Sequence, residues 1–212
     1  MKNYLNIFIA IILSLLLASC LENVDSKQKT PNTETNKPKL VKASKKDSII
    51  HLFNKNQNYR SNGFDYPVGK PDAKGYYNAQ KFGKNAHLGD DWNATTGGNT
   101  DLGDPIYAIS NGYIHFAEDI GGGWGNIIRM WHLKVDGQII ESFYAHCDEI
   151  LIETGTFVKK GDKIGTIGNC NGKYYAHLHF EIRKDIELPI GGGYGNTKGY
   201  LDPTEFIKAN RN

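Results

Sequence analysis

The sequence predicts a mainly β domain, built as an antiparallel sheet, sandwich or barrel, with one short helix at its C-terminal end. Between residues 112 and 183, short runs rich in aromatic and β-branched residues alternate with Gly-containing turns. A sustained 3.6-residue apolar period is missing from these runs, and only residues 204–209, after Pro203, have a helical pattern. Repeated strands at this spacing are typical of antiparallel sandwiches and barrels.

The first nineteen residues are predicted to be a lipoprotein signal peptide. Lys2 precedes an apolar run over residues 7–17, in which Ser14 is the only polar residue. As a helix this run spans about 16 Å, which is well short of the roughly 30 Å of bilayer hydrocarbon. It ends in Leu-Ala-Ser-Cys, which resembles a bacterial lipobox with acylation at Cys20; an ordinary signal peptide with an incidental Cys is the alternative. We therefore expect export and anchoring to a bacterial cell membrane, inner or outer, through lipidated Cys20.

Residues 20–50 are predicted to form a flexible, Lys-rich tether that begins with the acylated Cys. Residues 21–50 contain seven Lys and four acidic residues, and they are almost free of apolar residues before Ile49. Such a composition buries too little apolar surface to offset the entropy of ordering. Its charge suits either an anionic membrane surface or a simple solubilising linker. The folded domain is predicted over residues 51–212, whose net charge of −2 gives no reason to expect a nucleic-acid partner.

Six strands can be placed on the short runs rich in aromatic and β-branched residues that Gly-containing turns separate. They cover residues 112–116, 126–133, 138–146, 156–158, 163–167 and 177–183. Asp136 and Gly137 form a typical hairpin turn between two of them. The sequence contains neither a nucleotide-binding glycine loop nor a Ser or Cys in a nucleophile-elbow context, so those enzyme classes are excluded.

Two residues in the segment before the first of these strands have the chemistry of metal ligands. His87 and Asp91 offer an imidazole nitrogen and a carboxylate oxygen, which suit Zn²⁺. Gly89 between them favours a strand-to-turn conformation over a helix. Asp90 is an adjacent competitor for the same role. Alone, the motif is weak, because such pairs are common on solvated surfaces.

Three further His residues lie on predicted strands. His177 and His179 are two residues apart, so they project from the same face, whereas Leu178 and Phe180 project toward the core. His146 closes an apolar strand in a Tyr-Ala-His sequence. Each motif alone has an ordinary structural explanation. Together they supply four His and one Asp that can be directed into one cleft.

Five motifs occur in a fixed order along the chain. They are His-x-Gly-x-Asp at residues 87–91, Gly-x-Pro-x-Tyr-Ala at 103–108, Tyr-Ala-His at 144–146, Val-x-x-Gly-Asp-x-Ile-Gly at 158–165 and His-Leu-His-Phe-Glu at 177–181. In this order they resemble the lysostaphin-type (LytM-type) zinc metallopeptidases of bacterial peptidoglycan. The resemblance is strongest over residues 64–183, and it implies the mainly β fold of that family.

The resemblance also implies a function and a set of site residues. His87, Asp91 and His179 would hold one Zn²⁺, and His146 and His177 would assist a zinc-activated water as acid or base. The implied activity is that of an endopeptidase acting on peptidoglycan cross-links or stem peptides, although the bond cleaved does not follow from these residues. The alternative is a catalytically silent member that regulates cell-wall amidases from its lipid anchor. Retention of all five site residues favours catalysis.

Several features depart from the family pattern or remain open. The eleven residues 92–102 form a longer loop than is usual in the family, and we expect it to border the cleft. Residues 51–63 precede the part of the domain that resembles the family, at a position from which they could cover the cleft in a latent form. Cys147 and Cys170 could form a disulfide or remain two free thiols. His132 matches a family position outside the metal site and is expected to be structural.

Overall fold

The computed structural model describes residues 43–212. The predicted signal peptide, Cys20 and most of the predicted tether lie outside the described residues. None of the helices in the described part is long and apolar enough to span a bilayer.

The described chain consists mainly of strands, as the sequence predicts. The strands are β1 (Tyr76–Gln80), β2 (Asp90–Ala94), β3 (Pro105–Tyr107), β4 (Gly112–Asp119), β5 (Asn126–Leu133), β6 (Ile139–Ile150), β7 (Phe157–Val158), β8 (Lys163–Ile167), β9 (Leu178–Arg183) and β10 (Tyr200–Leu201). The helices are α1 (Lys45–Asn54) and α2 (Pro203–Asn210), with short turns at Gln57–Tyr59, Gly69–Ala73 and Lys84–Ala86. All six predicted strands and the C-terminal helix are confirmed.

The strands form one antiparallel sheet. Its main path runs β1-β2-β9-β6-β5-β4-β7, with β10 beside β9 and with β8 pairing with both β3 and β6. The path is open at β1 and β7, so the sheet does not close into a barrel. β9 lies between β2 and β6 and therefore brings together segments that are far apart in the sequence.

The two faces of β9 have opposite characters. Leu178, Phe180 and Ile182 are fully buried in the main hydrophobic core. The alternate residues, from His177 onward, project from the other face, as the two-residue period of a strand requires. Gly89 allows β2 to approach β9 closely, because a Cβ at that position would clash with the Phe180 carbonyl oxygen. The fold thus places a polar strip beside a tightly packed apolar layer.

Helix α1 begins inside the residues that the sequence assigns to the tether. Its N-cap is Ser44, whose Oγ accepts a hydrogen bond from the backbone N–H of Asp47 at 3.1 Å. Ile49 and Phe53 are buried on one side of the helix, and the Phe53 ring packs edge-on against Phe157 at 5.5 Å. The predicted domain boundary at residue 50 therefore falls within a packed helix, and the ordered domain begins before residue 51.

Candidate metal centre

Three of the predicted site residues converge on one point. Asp91 on β2 lies directly opposite His179 on β9, and His87 lies just before β2. The distance from His87 Nε2 to His179 Nδ1 is 3.1 Å, and from Asp91 Oδ1 to these two atoms it is 3.3 and 3.0 Å respectively. His87 and His179 are almost fully buried, so the three donor atoms face each other in a poorly solvated site.

This geometry fits a single zinc ion. Ligands at 2.0–2.2 Å from a tetrahedral centre lie about 3.3 to 3.6 Å from one another. The observed separations of 3.0 to 3.3 Å reach the lower end of this range or lie slightly below it. Two imidazoles and one carboxylate also match the donor set of catalytic zinc sites, which keep a fourth position open. The residues present could therefore hold the ion that the sequence predicts.

The protonation of the cluster follows from its contacts. Burial lowers the pKa of His179, but hydrogen bonds to Asp91 and Glu181 outweigh that effect and raise it to about 9. Burial raises the pKa of Asp91, but hydrogen bonds with His179 and His87 outweigh it and hold that pKa well below the usual range. Without a cation, a proton therefore lies between the donor atoms of His179 and Asp91. Metal binding would displace this proton.

A chain of buried charges extends from the centre along the polar face of the sheet. Glu181 accepts hydrogen bonds from His179 Nε2 at 3.0 Å and from Arg183 Nε at 2.7 Å. Arg183 Nη1 also lies 3.4 Å from Glu141. Glu141 binds both Nε and Nη2 of Arg129 at 2.8 to 3.0 Å, so each buried carboxylate faces at least one guanidinium. Burial raises the pKa of Glu141, but the His115 hydrogen bond and the Arg charges outweigh it and lower the pKa overall.

His146 lies beside the three donor residues. Its ring centroid is 5.8 Å from that of His179 and 4.7 Å from that of His177. Its Nδ1 lies 3.3 Å from the Trp124 carbonyl oxygen and 3.1 Å from Cys170 Sγ. A carbonyl can only accept, so Nδ1 carries the proton and the Nε2 lone pair is left free. Burial, reinforced by the neighbouring His177 and His179, lowers the pKa of His146 to about 3 and keeps the ring neutral.

His177 has the same tautomer for a similar reason. Its Nδ1 lies 2.8 Å from the Tyr175 carbonyl oxygen, to which it donates, so in the neutral ring Nε2 is the acceptor. The two rings lie side by side in the same cleft. Each can therefore accept a proton through Nε2 from a group bound in the cleft, as general acid–base chemistry requires.

All five predicted residues line one cleft of about 490 Å³. Its walls include Trp124, Tyr174 and Tyr194, together with Gly192 and Gly193. These wall residues are absent from the sequence prediction, because none belongs to a motif with recognisable spacing.

The predicted borders of the cleft are partly correct. Residues 92–94, predicted as the start of the long loop, belong to β2. Asn93 on β2 and Asn99 in the loop that follows line an adjoining pocket that His177 also borders. The expectation for residues 51–63 is wrong: Tyr59 instead packs against Phe157 at 4.9 Å, away from the cleft.

Asp90 takes no part in the cluster. Its carboxylate accepts hydrogen bonds from Phe82 N at 3.0 Å and from Thr204 N and Oγ1 at 3.1 and 2.6 Å. Asp90 therefore joins the start of α2 to β2, on the side of the strand opposite to Asp91. Because these hydrogen bonds hold Asp90 on that side of the strand, Asp91 is the carboxylate that reaches His87 and His179.

Three further residues named in the sequence analysis, namely two Cys and one His, lie buried in the domain. Cys147 and Cys170 are both buried and are free thiols. His132 is fully buried, with Nδ1 at 2.8 Å from the Asn111 carbonyl oxygen and Nε2 at 2.7 Å from Ser142 Oγ. His132 thus belongs to the core, as the sequence predicts.

The family model described as Peptidase family M23 matches residues 86–195, slightly more than half of the chain. The chain belongs to peptidase family M23. The matched M23 region includes all five predicted site residues, each of which lines the cleft.

The M23 region is also similar to several named proteins. Lipoprotein NlpD of Yersinia enterocolitica is 40% identical over 81 residues, an alignment that covers 38% of this chain and 78% of that protein. Murein hydrolase activator NlpD of Escherichia coli K12 is 35% identical over 96 residues, which cover 42% of this chain and 24% of that protein. The chain therefore spans about a quarter of the length of this second relative. Among solved structures, the catalytic domain of the antimicrobial peptidase lysostaphin from Staphylococcus simulans is 25% identical, with a TM-score of 0.44, over 72% of this chain and 94% of that one.

Proposed function

We propose that this M23 protein is a zinc-dependent endopeptidase that hydrolyses peptide cross-links or stem peptides of bacterial peptidoglycan. The observation that carries the proposal is the convergence of His87, Asp91 and His179, whose donor atoms lie 3.0 to 3.3 Å apart. Zinc bound there would lower the pKa of a water molecule and polarise the scissile carbonyl.

The remaining chemistry is assigned to His146 and His177. Both rings line the cleft and have a free Nε2, so a neutral ring can take a proton from the attacking water, and the imidazolium formed can then deliver that proton to the leaving amine. The first transfer needs a ring that is neutral before the reaction, and burial keeps His146 in that state. The hydrogen bonds from Nδ1 to backbone carbonyls hold each ring in the orientation required.

We also assign the activity to the cell envelope. The N-terminal signal pattern ending at Cys20 supports export and lipid anchoring to a bacterial membrane. Relatives named as lipoproteins support the same assignment. The partners would then be the membrane, through the lipid, and peptidoglycan peptide, through the cleft.

A second candidate function is regulation of cell-wall amidases. It is supported by relatives named murein hydrolase activators. An activator needs no metal ligands, whereas this chain keeps three converging donors and two neighbouring His. For this reason we place catalysis first.

Mass spectrometry of peptidoglycan fragments can decide between the two. Purified peptidoglycan is incubated with the mature protein in detergent, with and without chelator, and again after zinc is restored. We expect new peptide amino termini that disappear with chelator and in His179→Ala. The matched control His51→Ala, which changes an exposed His on α1, should cut normally. Undiminished cutting by His179→Ala would contradict the zinc assignment, and stimulation of an added amidase without any peptide cleavage would favour the second candidate.

A further inference from the structure

Four basic side chains cluster at the end of the sheet where β7 closes the main strand path. We call this cluster the basic edge and define it as Lys55, Arg60, Lys159 and Lys160. The first two follow α1 and the short turn after it, and the last two follow β7 directly. Residues 51–212 carry a net charge of −2, so the basic edge is opposite in sign to the domain as a whole.

Local contacts hold three of these side chains close together. Lys159 Nζ donates to the Asn58 carbonyl oxygen and lies 4.0 Å from the centre of the Tyr59 ring. Arg60 Nη2 donates to Asn54 Oδ1 at 2.8 Å, beside the position where Lys55 follows α1. The turn after α1 and the turn after β7 are therefore joined into one surface.

Asn111 joins the two turns a second time. Its Nδ2 donates to the Arg60 carbonyl oxygen at 3.1 Å, and its Oδ1 accepts a hydrogen bond from Lys160 N at 2.9 Å. Because Asn111 directly precedes β4, these bonds fix the backbone of the basic edge to the sheet. The spacing of the four charges is thus set by the fold.

The positive charge of the basic edge is not neutralised within residues 43–212. The ion pairs found there use other cations. Asp162 is the nearest acid along the chain after β7, but its Oδ2 accepts from Lys159 N at 2.8 Å, and Lys70, which donates to the Gly161 carbonyl oxygen, offsets its charge. Three of the four cations are exposed and Arg60 is half-buried, so the charge is available to a partner.

The basic edge and the candidate metal centre lie at different ends of the sheet. The centre lies between β2 and β9, and from β9 the path continues through β6, β5 and β4 to β7. Four strand spacings of about 4.8 Å add up to about 19 Å along the sheet. None of the four basic residues lines the cleft. A partner can therefore bind the basic edge without covering the cleft.

The N-terminal segment joins the domain next to this edge. Helix α1 runs from Lys45 to Asn54, so it spans about 15 Å and ends beside Lys55. Residues 21–44 separate Cys20 from α1, and a chain of that length reaches at most about 85 Å. Acylation of Cys20, as proposed above, would keep the basic edge within reach of the bilayer surface.

We propose that the basic edge binds the anionic lipid headgroups of the membrane to which the protein is anchored, and so holds the cleft end of the sheet away from the bilayer. Each Lys or Arg close to an anionic leaflet strengthens binding by about fivefold. The attraction fades within roughly 8 Å at physiological salt, so only charges on the contacting surface contribute. Neither zinc nor the cleft takes part, so this proposal is independent of the proposed peptidase function.

Cosedimentation with vesicles tests the proposal. The protein is the mature chain with Cys20→Ser, which has no acyl chain to insert, and the vesicles contain phosphatidylcholine alone or in equal parts with phosphatidylglycerol. Lys55→Gln combined with Lys160→Gln removes two charges of the basic edge. Lys84→Gln combined with Lys198→Gln removes two exposed charges elsewhere and is the matched control. We expect binding to the mixed vesicles to weaken by about 25-fold in the first pair and to change little in the control pair.

Hydrogen exchange locates the contact in the same Cys20→Ser chain without further substitution. Mixed vesicles should slow amide exchange in residues 55–60 and 159–161 and leave residues 86–91, at the metal centre, unchanged. Equal weakening in the two variant pairs, equal binding to phosphatidylcholine alone, or protection at the metal centre in place of the basic edge would overturn the proposal. It would also be overturned if the first pair bound vesicles normally and lost binding to peptidoglycan sacculi, since the partner would then be the wall.

Discussion

Glu181 Oε1 lies 3.0 Å from Nε2 of His179, on the side of the ring opposite to the nitrogen that faces Asp91. A buried carboxylate in this position keeps the proton on Nε2 and leaves the Nδ1 lone pair directed at the candidate metal centre. The two residues are two positions apart on β9, so the strand itself sets their alignment. Glu181 is therefore expected to orient His179 and to make it a stronger donor.

Glu181→Gln should weaken zinc binding. The amide oxygen can still accept the His179 proton, but it lacks the charge that raises the basicity of the ring. Loss of such a contact typically lowers metal affinity by about 10- to 100-fold. Competition with a chromogenic chelator measures the zinc dissociation constant directly. Glu187→Gln, at an exposed carboxylate, is the control, and equal affinities in the two variants would refute the role of Glu181.

Glu141→Gln should destabilise the whole domain. Glu141 is fully buried and accepts hydrogen bonds from Arg129 and Arg183, so the variant leaves buried positive charge uncompensated. Breaking a buried ion pair from one side costs about 3–5 kcal/mol. Urea unfolding of the chelator-treated protein measures the change in free energy. The exposed Glu118→Gln on β4 should change it little, and a similarly small effect at Glu141 would mean that the charge chain is not stabilising.

His146→Ala and His177→Ala should separate turnover from metal binding. Neither residue is in the proposed ligand set, so both variants should retain one zinc per chain. Loss of a positioned acid or base lowers the rate by about 10²- to 10⁴-fold. Metal content and the rate of muropeptide cleavage should be measured on the same samples, with His179→Ala as the variant that loses zinc. Full turnover by either variant would remove that His from the mechanism.

Phe53→Ala tests whether α1 belongs to the folded domain. Phe53 is fully buried against Phe157, and truncation of a buried Phe costs about 3–5 kcal/mol. Lys55→Ala, at the exposed end of the same helix, is the control. The readout is the free energy of unfolding. If the Phe53 variant unfolded like the control, α1 would not contribute to the stability of the folded domain.

The fold was largely predictable because it depends on local alternation. On β9, for example, Leu178 and Phe180 enter the core while His177 and His179 do not, and this can be read from a two-residue period. Helix α1 escaped prediction because its buried residues are surrounded by Lys, Ser and Asp, so the composition of the window resembles that of a linker.

The candidate site was predictable only where its residues lie in ordered motifs. Tyr194 and its neighbouring glycines reach the cleft by pairing with residues 86–88, a contact between distant parts of the chain. Glycine-rich segments have no apolar period from which such a pairing could be predicted. Cys147 and Cys170 were undecided for a related reason, since sequence provides no distance between two thiols.

The pH dependence of stability provides a test of the buried His132. Burial penalises the charged ring of His132 and lowers its pKa from 6.5 to about 4, although the hydrogen bond to the Asn111 carbonyl opposes this shift. As the pH falls, His132 of the unfolded chain therefore takes up a proton near pH 6.5, whereas His132 of the folded chain takes it up only near pH 4. This stabilisation is complete above pH 6.5 and is lost as the pH falls toward 4.

At 1.36 kcal/mol per pKa unit, the loss between pH 7 and pH 4 amounts to about 3 kcal/mol. His132→Gln cannot be protonated, so its unfolding free energy should be lower than that of the wild type at pH 7 but should fall by about 3 kcal/mol less on acidification. Other titrating groups contribute equally to both proteins, so the difference between the two slopes isolates His132. Parallel slopes in chelator-treated samples would show that the folded protein accommodates a charged ring at this position.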